Sequence, residues 1–211
     1  AMTIEELRNA TTAINDAANW LAQQFSSDDK QQNENITANI STFSRPIDFS
    51  SAKNIKIFGK IVNTDCNSAI ENIKVEGYKC KSDSINGLKR GPNIIYLFKV
   101  DNLKICHLGY LGEFINNELI KILSNADILF IPIGGNLCLN GIDAYSLSEK
   151  LNAKYIIPMC YKNNYNNFYF NGPKDFLSSC KNVVSIKTDT VYLSDFYNSN
   201  IPSTILMHNV L

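Results

Sequence analysis

Four stretches of this chain end on residues able to do chemistry. NIKVEGYKC (72–80) runs through Lys81 into Ser82-Asp83, and KICHLGYLG (104–112) carries His107 and Tyr110. ADILFIPIGG (126–135) closes on Gly134-Gly135, and AKYIIPMCY (153–161) closes on Cys160-Tyr161. Imidazole, thiolate and carboxylate are the ordinary ligands of zinc, and tyrosine occasionally ligates iron. The chain has only two histidines, His107 and His208, and no H-x-H. His107 precedes Tyr110 by three residues; on a strand that odd offset points to opposite faces. Cys160 has no identifiable histidine neighbour to lower its pKa, so it reads as a small buried hydrophobe, not as a nucleophile. Gly134-Gly135 lets a backbone approach a phosphate, but no G-x-G-x-x-G or G-K-[ST] follows, and a structural turn accounts for it.

The elements around these residues read as follows. Residues 3–25 form an amphipathic helix: Thr3 and Glu6 make a capping box, and Ile4, Leu7, Ile14, Leu21 and Phe25 fall on one stripe. Residues 26–54 are polar and read as a linker, with a domain boundary near residue 50, so the chain divides into 1–50 and 51–211. From Ile55 the pattern turns to strands: 54–62, 72–80, and a hairpin of NIIYLFKV with LKICHLG turning at Asp101-Asn102. GEFINNELIKIL reads as a helix with Phe114, Ile115, Leu119, Ile122 and Leu123 at helical spacing, and IDAYSLSEKL as a second. PKDFLSSC is a short helix opened by Pro173, and VVSIKTD and TVYLSDF are closing strands. Strand–helix–strand alternation after residue 100 makes the class α/β, a layered sheet with flanking helices.

The order and spacing of these motifs resemble the C-terminal half of the metallo-β-lactamase fold, in its lactonase-like, metal-dependent hydrolase branch. That branch reads H-L-G-D-L-G, D-I-L-x-I-P-x-G-G and I-P-M-H-Y, preceded by a strand ending in His-Asp, a Gly, then R-G-x-N. This chain has Ser82-Asp83, Gly87, Arg90-Gly91-Pro92-Asn93 and His107-Leu108-Gly109-Tyr110-Leu111-Gly112 across residues 55–165. The resemblance implies that Ser82, Tyr110 and Cys160 occupy metal-ligand positions, each with a non-consensus residue. It places Asp83, His107, Gly134 and Gly135 around the same pocket. The family's main signature, H-x-H-x-D-H, gathers the ligands of one or two zinc ions and is absent. The expectation is a truncated, metal-free pseudoenzyme without a cofactor, its pocket filled by Tyr110, serving as a structural or interaction module. The alternative is a zinc-dependent hydrolase of a phosphoester or lactone, with a rebuilt or partner-completed site. Small-ligand binding in the vacated pocket is a third possibility. A sheet lacking its first half implies an apolar face covered by the N-terminal helix, by a second copy or by a protein partner.

Bulk properties narrow the partners. Of 211 residues, 20 are Lys or Arg and 20 Asp or Glu, so the formal net charge is zero and favours neither nucleic acid nor an anionic membrane. The aromatic, Asn-rich segment 161–170 lacks the interleaved cations of a single-strand platform. No apolar run reaches the length of a membrane span. Ala1 before Met2 reads as a cloning remnant, and no basic-then-apolar leader follows. The six cysteines form no C-x-x-C pair and read as reduced thiols of a cytoplasmic protein.

Overall fold

The computed structural model describes residues 36–42, 44, 55–62, 67–70, 73–100, 102–163, 170–187, 191 and 201–207. The 3–25 helix, Cys66, the aromatic segment at 164–169, the TVYLSDF strand beyond Val191 and His208 lie outside them. Two strands, β1 (Ile36–Thr42) and β2 (Ile55–Val62), pair in parallel with an irregularity between Ala38 and Ile40. The stretch read as polar linker thus contains a strand, ITANIST, whose β-branched residues suit an extended backbone.

The remaining strands form one mixed sheet. They are β3 (Asn67–Ile70), β4 (Ile73–Lys81), β5 (Pro92–Val100), β6 (Leu103–His107), β7 (Ile128–Pro132), β8 (Tyr155–Met159), β9 (Val183–Ile186) and β10 (Ser203–Met207). Their spatial order is β3-β4-β5-β6-β7-β8-β10-β9. β3 to β6 are antiparallel neighbours, while β6, β7, β8, β10 and β9 run parallel. Six strands therefore end at one edge of the sheet, the carboxyl edge, where open α/β sheets commonly place their sites. The loops bearing Ser82, Tyr110, Gly134 and Cys160 all leave from it.

Burial on both faces explains the continuous apolar runs. On β5, Ile95 and Leu97 belong to the layer under the helices, with Leu129, Ile131 and Ile156. Ile94, Tyr96 and Phe98 point to the opposite layer, with Ile128, Phe130, Tyr155 and Ile205. Every core residue of that second layer is 8% exposed or less.

Among the described residues three helices cover the first layer: α1 (Asn117–Leu123), α2 (Gly141–Leu151) and α3 (Lys174–Leu177). The first is shorter than the apolar spacing suggests. Asn116 caps it by accepting the Leu119 N–H at 2.8 Å, which leaves Phe114 and Ile115 in the preceding loop. Asn140 caps α2 in the same way through the Asp143 N–H at 2.9 Å, and Asn152 ends it in the left-handed region at φ 47°. Ile142, in the first turn of α2, is exposed.

The strand β10 was not anticipated, yet it sits between β8 and β9, with Ile205 fully buried. Its five-residue run STILM is too short for periodicity to separate from a loop. Ile205→Ala is expected to destabilise the fold by about 2–5 kcal/mol in urea unfolding, as a cavity under two layers does. Ile201→Ala, at a half-exposed position just before the strand, should stay within about 0.5 kcal/mol of the parent.

Candidate functional site

The carboxyl edge is built by one buried amide and several backbone contacts. Asn93, at the start of β5, is fully buried. Its Nδ2 donates to the Leu108 carbonyl at 2.9 Å and to Cys80 Sγ at 3.1 Å, and its Oδ1 accepts the Tyr110 N–H at 2.8 Å. The loop after β6 is thereby fastened to β4 and β5. Gly109 follows the same constraint: its φ is +59°, and a Cβ there would lie 2.5 Å from Asn93 Oδ1 and 2.6 Å from Ser44. Ser44 in turn accepts the Ile94 N–H on its carbonyl at 2.9 Å.

From this loop the contacts spread along the edge. The Gly112 N–H donates to the Lys81 carbonyl at 3.0 Å, and a Cβ on Gly112 would lie 1.9 Å from the Ser82 oxygen. Leu111 accepts the Leu139 N–H at 2.7 Å, and Leu139 accepts the Gly135 N–H at 2.9 Å. A Cβ on Gly134 would lie 2.0 Å from the Cys160 carbonyl. Gly134 packs against the chain after β8, and Gly135 turns with φ +66°.

The structure gives each sequence candidate a place. Ser82 is fully buried; its N–H donates to Gly91 at 3.1 Å and its hydroxyl to the Pro92 carbonyl at 3.4 Å. Asp83, 4% exposed, turns inward to organise its own loop. Its carboxylate accepts the N–H groups of Ile85 at 3.1 Å, Gly87 at 2.8 Å, Lys89 at 3.1 Å and Arg90 at 2.6 Å. Burial favours the neutral acid, but the four backbone donors outweigh it and hold the carboxyl below its ordinary range. Tyr110 is buried, 5% exposed. Cys160 is half-buried with φ +54°, a region that non-glycine residues rarely adopt.

His107 ends β6 and stacks on Phe130 of the second layer, ring centroids 5.6 Å apart. Burial pushes its imidazole down to about 4. Its Nδ1 accepts the Gly109 N–H at 3.1 Å, so the neutral ring carries its proton on Nε2. Burial also pushes the Cys80 and Cys106 thiols up to about 12, which makes them poor nucleophiles at neutral pH. None of the five described cysteines forms a disulfide.

A zinc centre needs three or four convergent ligands with free lone pairs. Of the residues at or beside the implied positions, Cys160 carries an ordinary zinc-ligand atom, and one ligand does not make a centre; Ser82, Asp83 and Tyr110 do not fit one. The Asp83 oxygens are engaged by four amides, the Ser82 hydroxyl is buried against a carbonyl, and Tyr110 is buried in the fold. No group of three or more His, Cys, Asp or Glu that could hold a metal occurs among the described residues. Sequence reasoning quoted Asn93 only as part of R-G-x-N; its role becomes visible once the carbonyl and N–H it joins are in place. Glu113, whose Oε1 accepts the Lys81 N–H at 2.7 Å, carried no signal beyond its type.

Comparison with known proteins agrees with this architecture. A family model described as a β-lactamase superfamily domain matches residues 13–160. The match begins well upstream of the motif-bearing stretch. A UPF0173 metal-dependent hydrolase of Bacillus cereus is 30% identical over 104 residues, 49% of this chain and 43% of the relative. Another from Carboxydothermus hydrogenoformans is 36% identical over 66 residues, 31% of this chain and 29% of the relative. The chain thus spans less than half the length of these relatives. A Thermotoga maritima structure, described as a Zn-dependent hydrolase of the metallo-β-lactamase superfamily, shares the fold with a TM-score of 0.67. It is 23% identical, and the likeness covers 82% of this chain and 83% of that one. A metal-dependent hydrolase structure from Parabacteroides distasonis gives 0.55 at 15% identity, over 81% and 76% of the two chains.

Two outcomes follow from the site. Asn93→Ala leaves the buried Leu108 carbonyl and Tyr110 N–H without their partner, at about 1–3 kcal/mol each, so urea unfolding should report a loss of roughly 2–5 kcal/mol. The second concerns pH. His107 titrates at about 4 when folded against an ordinary 6.5, so between these values the unfolded chain takes up a proton that the folded chain does not. Its contribution is fully present above pH 6.5 and is lost as pH falls toward 4, on the order of 3 kcal/mol in all. Unfolding free energies of the parent and of His107→Gln across this window should differ in slope by one proton.

Proposed function

We propose that this chain, which belongs to the β-lactamase superfamily domain family, is a member without metal chemistry that serves as a structural or interaction module. The observation that carries this reading is the Asp83 carboxylate. At the edge where the fold gathers its ligands, the one carboxylate next to an implied ligand position is held by four amides of its own loop. Beside it, Ser82 is fully buried and Tyr110 is 5% exposed. Water activation by a metal requires an ion with an open position, and these side chains offer none. Thiols without a disulfide among the described residues support a reducing, cytoplasmic setting.

A second reading draws on the relatives' names. They are called metal-dependent hydrolases, and this chain spans less than half of their length. On that reading, zinc ligands come from outside the described residues or from a partner chain, and the substrate is a phosphoester or lactone.

Elemental analysis after purification without chelators separates the two. The metal-free reading expects substoichiometric zinc, manganese and iron, and no turnover of phosphodiester or lactone substrates. Stoichiometric metal together with turnover would establish the second reading. Restoring Asp at position 110 and His at 160 (Tyr110→Asp with Cys160→His) should give neither tight zinc binding nor activity. It should lower the unfolding midpoint, because a carboxylate replaces a ring that is 5% exposed.

A further inference from the structure

Among the described residues seven large apolar side chains are exposed, and four stand on segments that follow the carboxyl edge. Ile85 is 51% exposed and Leu88 84% after β4, Phe114 is 68% exposed after β6, and Ile142 is 69% exposed in the first turn of α2. Single exposed apolar residues are ordinary, whereas their gathering on one edge marks a contact surface. The segments are tied together by the Gly112–Lys81 and Leu139–Leu111 backbone bonds of 3.0 and 2.7 Å. Ile85 is three residues from Ser82, and Phe114 is two from Gly112, which abuts Ser82. At most roughly 11 and 7 Å of chain separate them from that contact.

The same loops carry both signs of charge. Lys89 follows Leu88, and Glu118 lies in the first turn of α1 just beyond Phe114. Neither has an ion-pair partner among the described residues. Loops that carry exposed apolar side chains together with a cation and an acid can meet the same loops of a second copy turned about a two-fold axis, Lys89 against Glu118. The formal net charge of zero removes long-range repulsion between copies.

We propose that this rim is the contact between two copies of the chain, with Ile85, Leu88 and Phe114 at its centre and Lys89 and Glu118 as its flanks. The second core layer of the sheet is buried, whereas Ile85, Leu88, Phe114 and Ile142 stand in solvent. The proposal goes beyond the metal-free reading and does not depend on it.

Sedimentation velocity over a micromolar concentration series tests it, with circular dichroism to confirm folding. The intact chain should dimerise. Leu88→Asp with Phe114→Asp should raise the dissociation constant about tenfold or more, and Ile201→Asp, exposed elsewhere, should leave it unchanged. Lys89→Glu should weaken the dimer, and Lys89→Glu with Glu118→Lys should restore it. An intact chain that stays monomeric, or a dimer indifferent to the rim substitutions, overturns the proposal. So does a monomer whose rim binds a hydrophobic dye in a Leu88- and Phe114-dependent way, which would assign the rim to an apolar ligand.

Discussion

The side-chain amide of Asn93 is the tie on which the carboxyl edge depends. A buried amide left unpaired is expensive, and Asn93 is fully buried with both ends engaged. Its two ends hold the Leu108 carbonyl and the Tyr110 N–H, so the loop after β6 has one conformation open to it. Gly109 must then be glycine, because a Cβ would meet Asn93 itself. The next contacts follow in sequence: Leu111 holds Leu139, Leu139 holds Gly135, and Gly134 packs on the Cys160 carbonyl. Four strand exits are brought together by backbone and amide contacts, with no metal needed to explain their convergence.

That arrangement decides what the edge offers chemically. Solved structures described as metal-dependent hydrolases share this fold, and the chain has its mixed sheet with a parallel half. At the positions that the resemblance implies, its polar groups are directed inward. Asp83 orders residues 85–90, Ser82 bonds to Pro92, and His107 is neutral at physiological pH, stacked on Phe130. The loop that Asp83 orders is also the one that presents Ile85 and Leu88 to solvent, so a carboxylate spent on structure supports an exposed surface.

Most of the fold was legible in the sequence because its strands are buried on both faces or alternate cleanly. NIIYLFKV and ILFIP are continuous apolar runs that fit only a strand with a layer on each side. The helix after β6 was read too long because Phe114 and Ile115 match a helical spacing, while Asn116 supplies the cap that decides where it starts. β10 was missed because a five-residue run carries too few periods, and β1 because it lies in a stretch whose overall composition is polar. The positions of Ser82, Tyr110 and Cys160 at one edge followed from motif order. The inward use of Asp83 did not, since the four N–H groups it accepts are backbone and leave no mark in the residue types.

The claim that this edge is closed to metal rests most directly on the Asp83 carboxylate and its four amides. Amide NMR of Ile85, Gly87, Lys89 and Arg90 during a Zn²⁺ titration reads that arrangement at the atoms concerned. The account predicts four resonances that neither shift nor gain exchange with solvent as zinc is added in excess. Saturable shifts at all four, with loss of their protection, would mean that the carboxylate turns from its loop to an ion, and would contradict it.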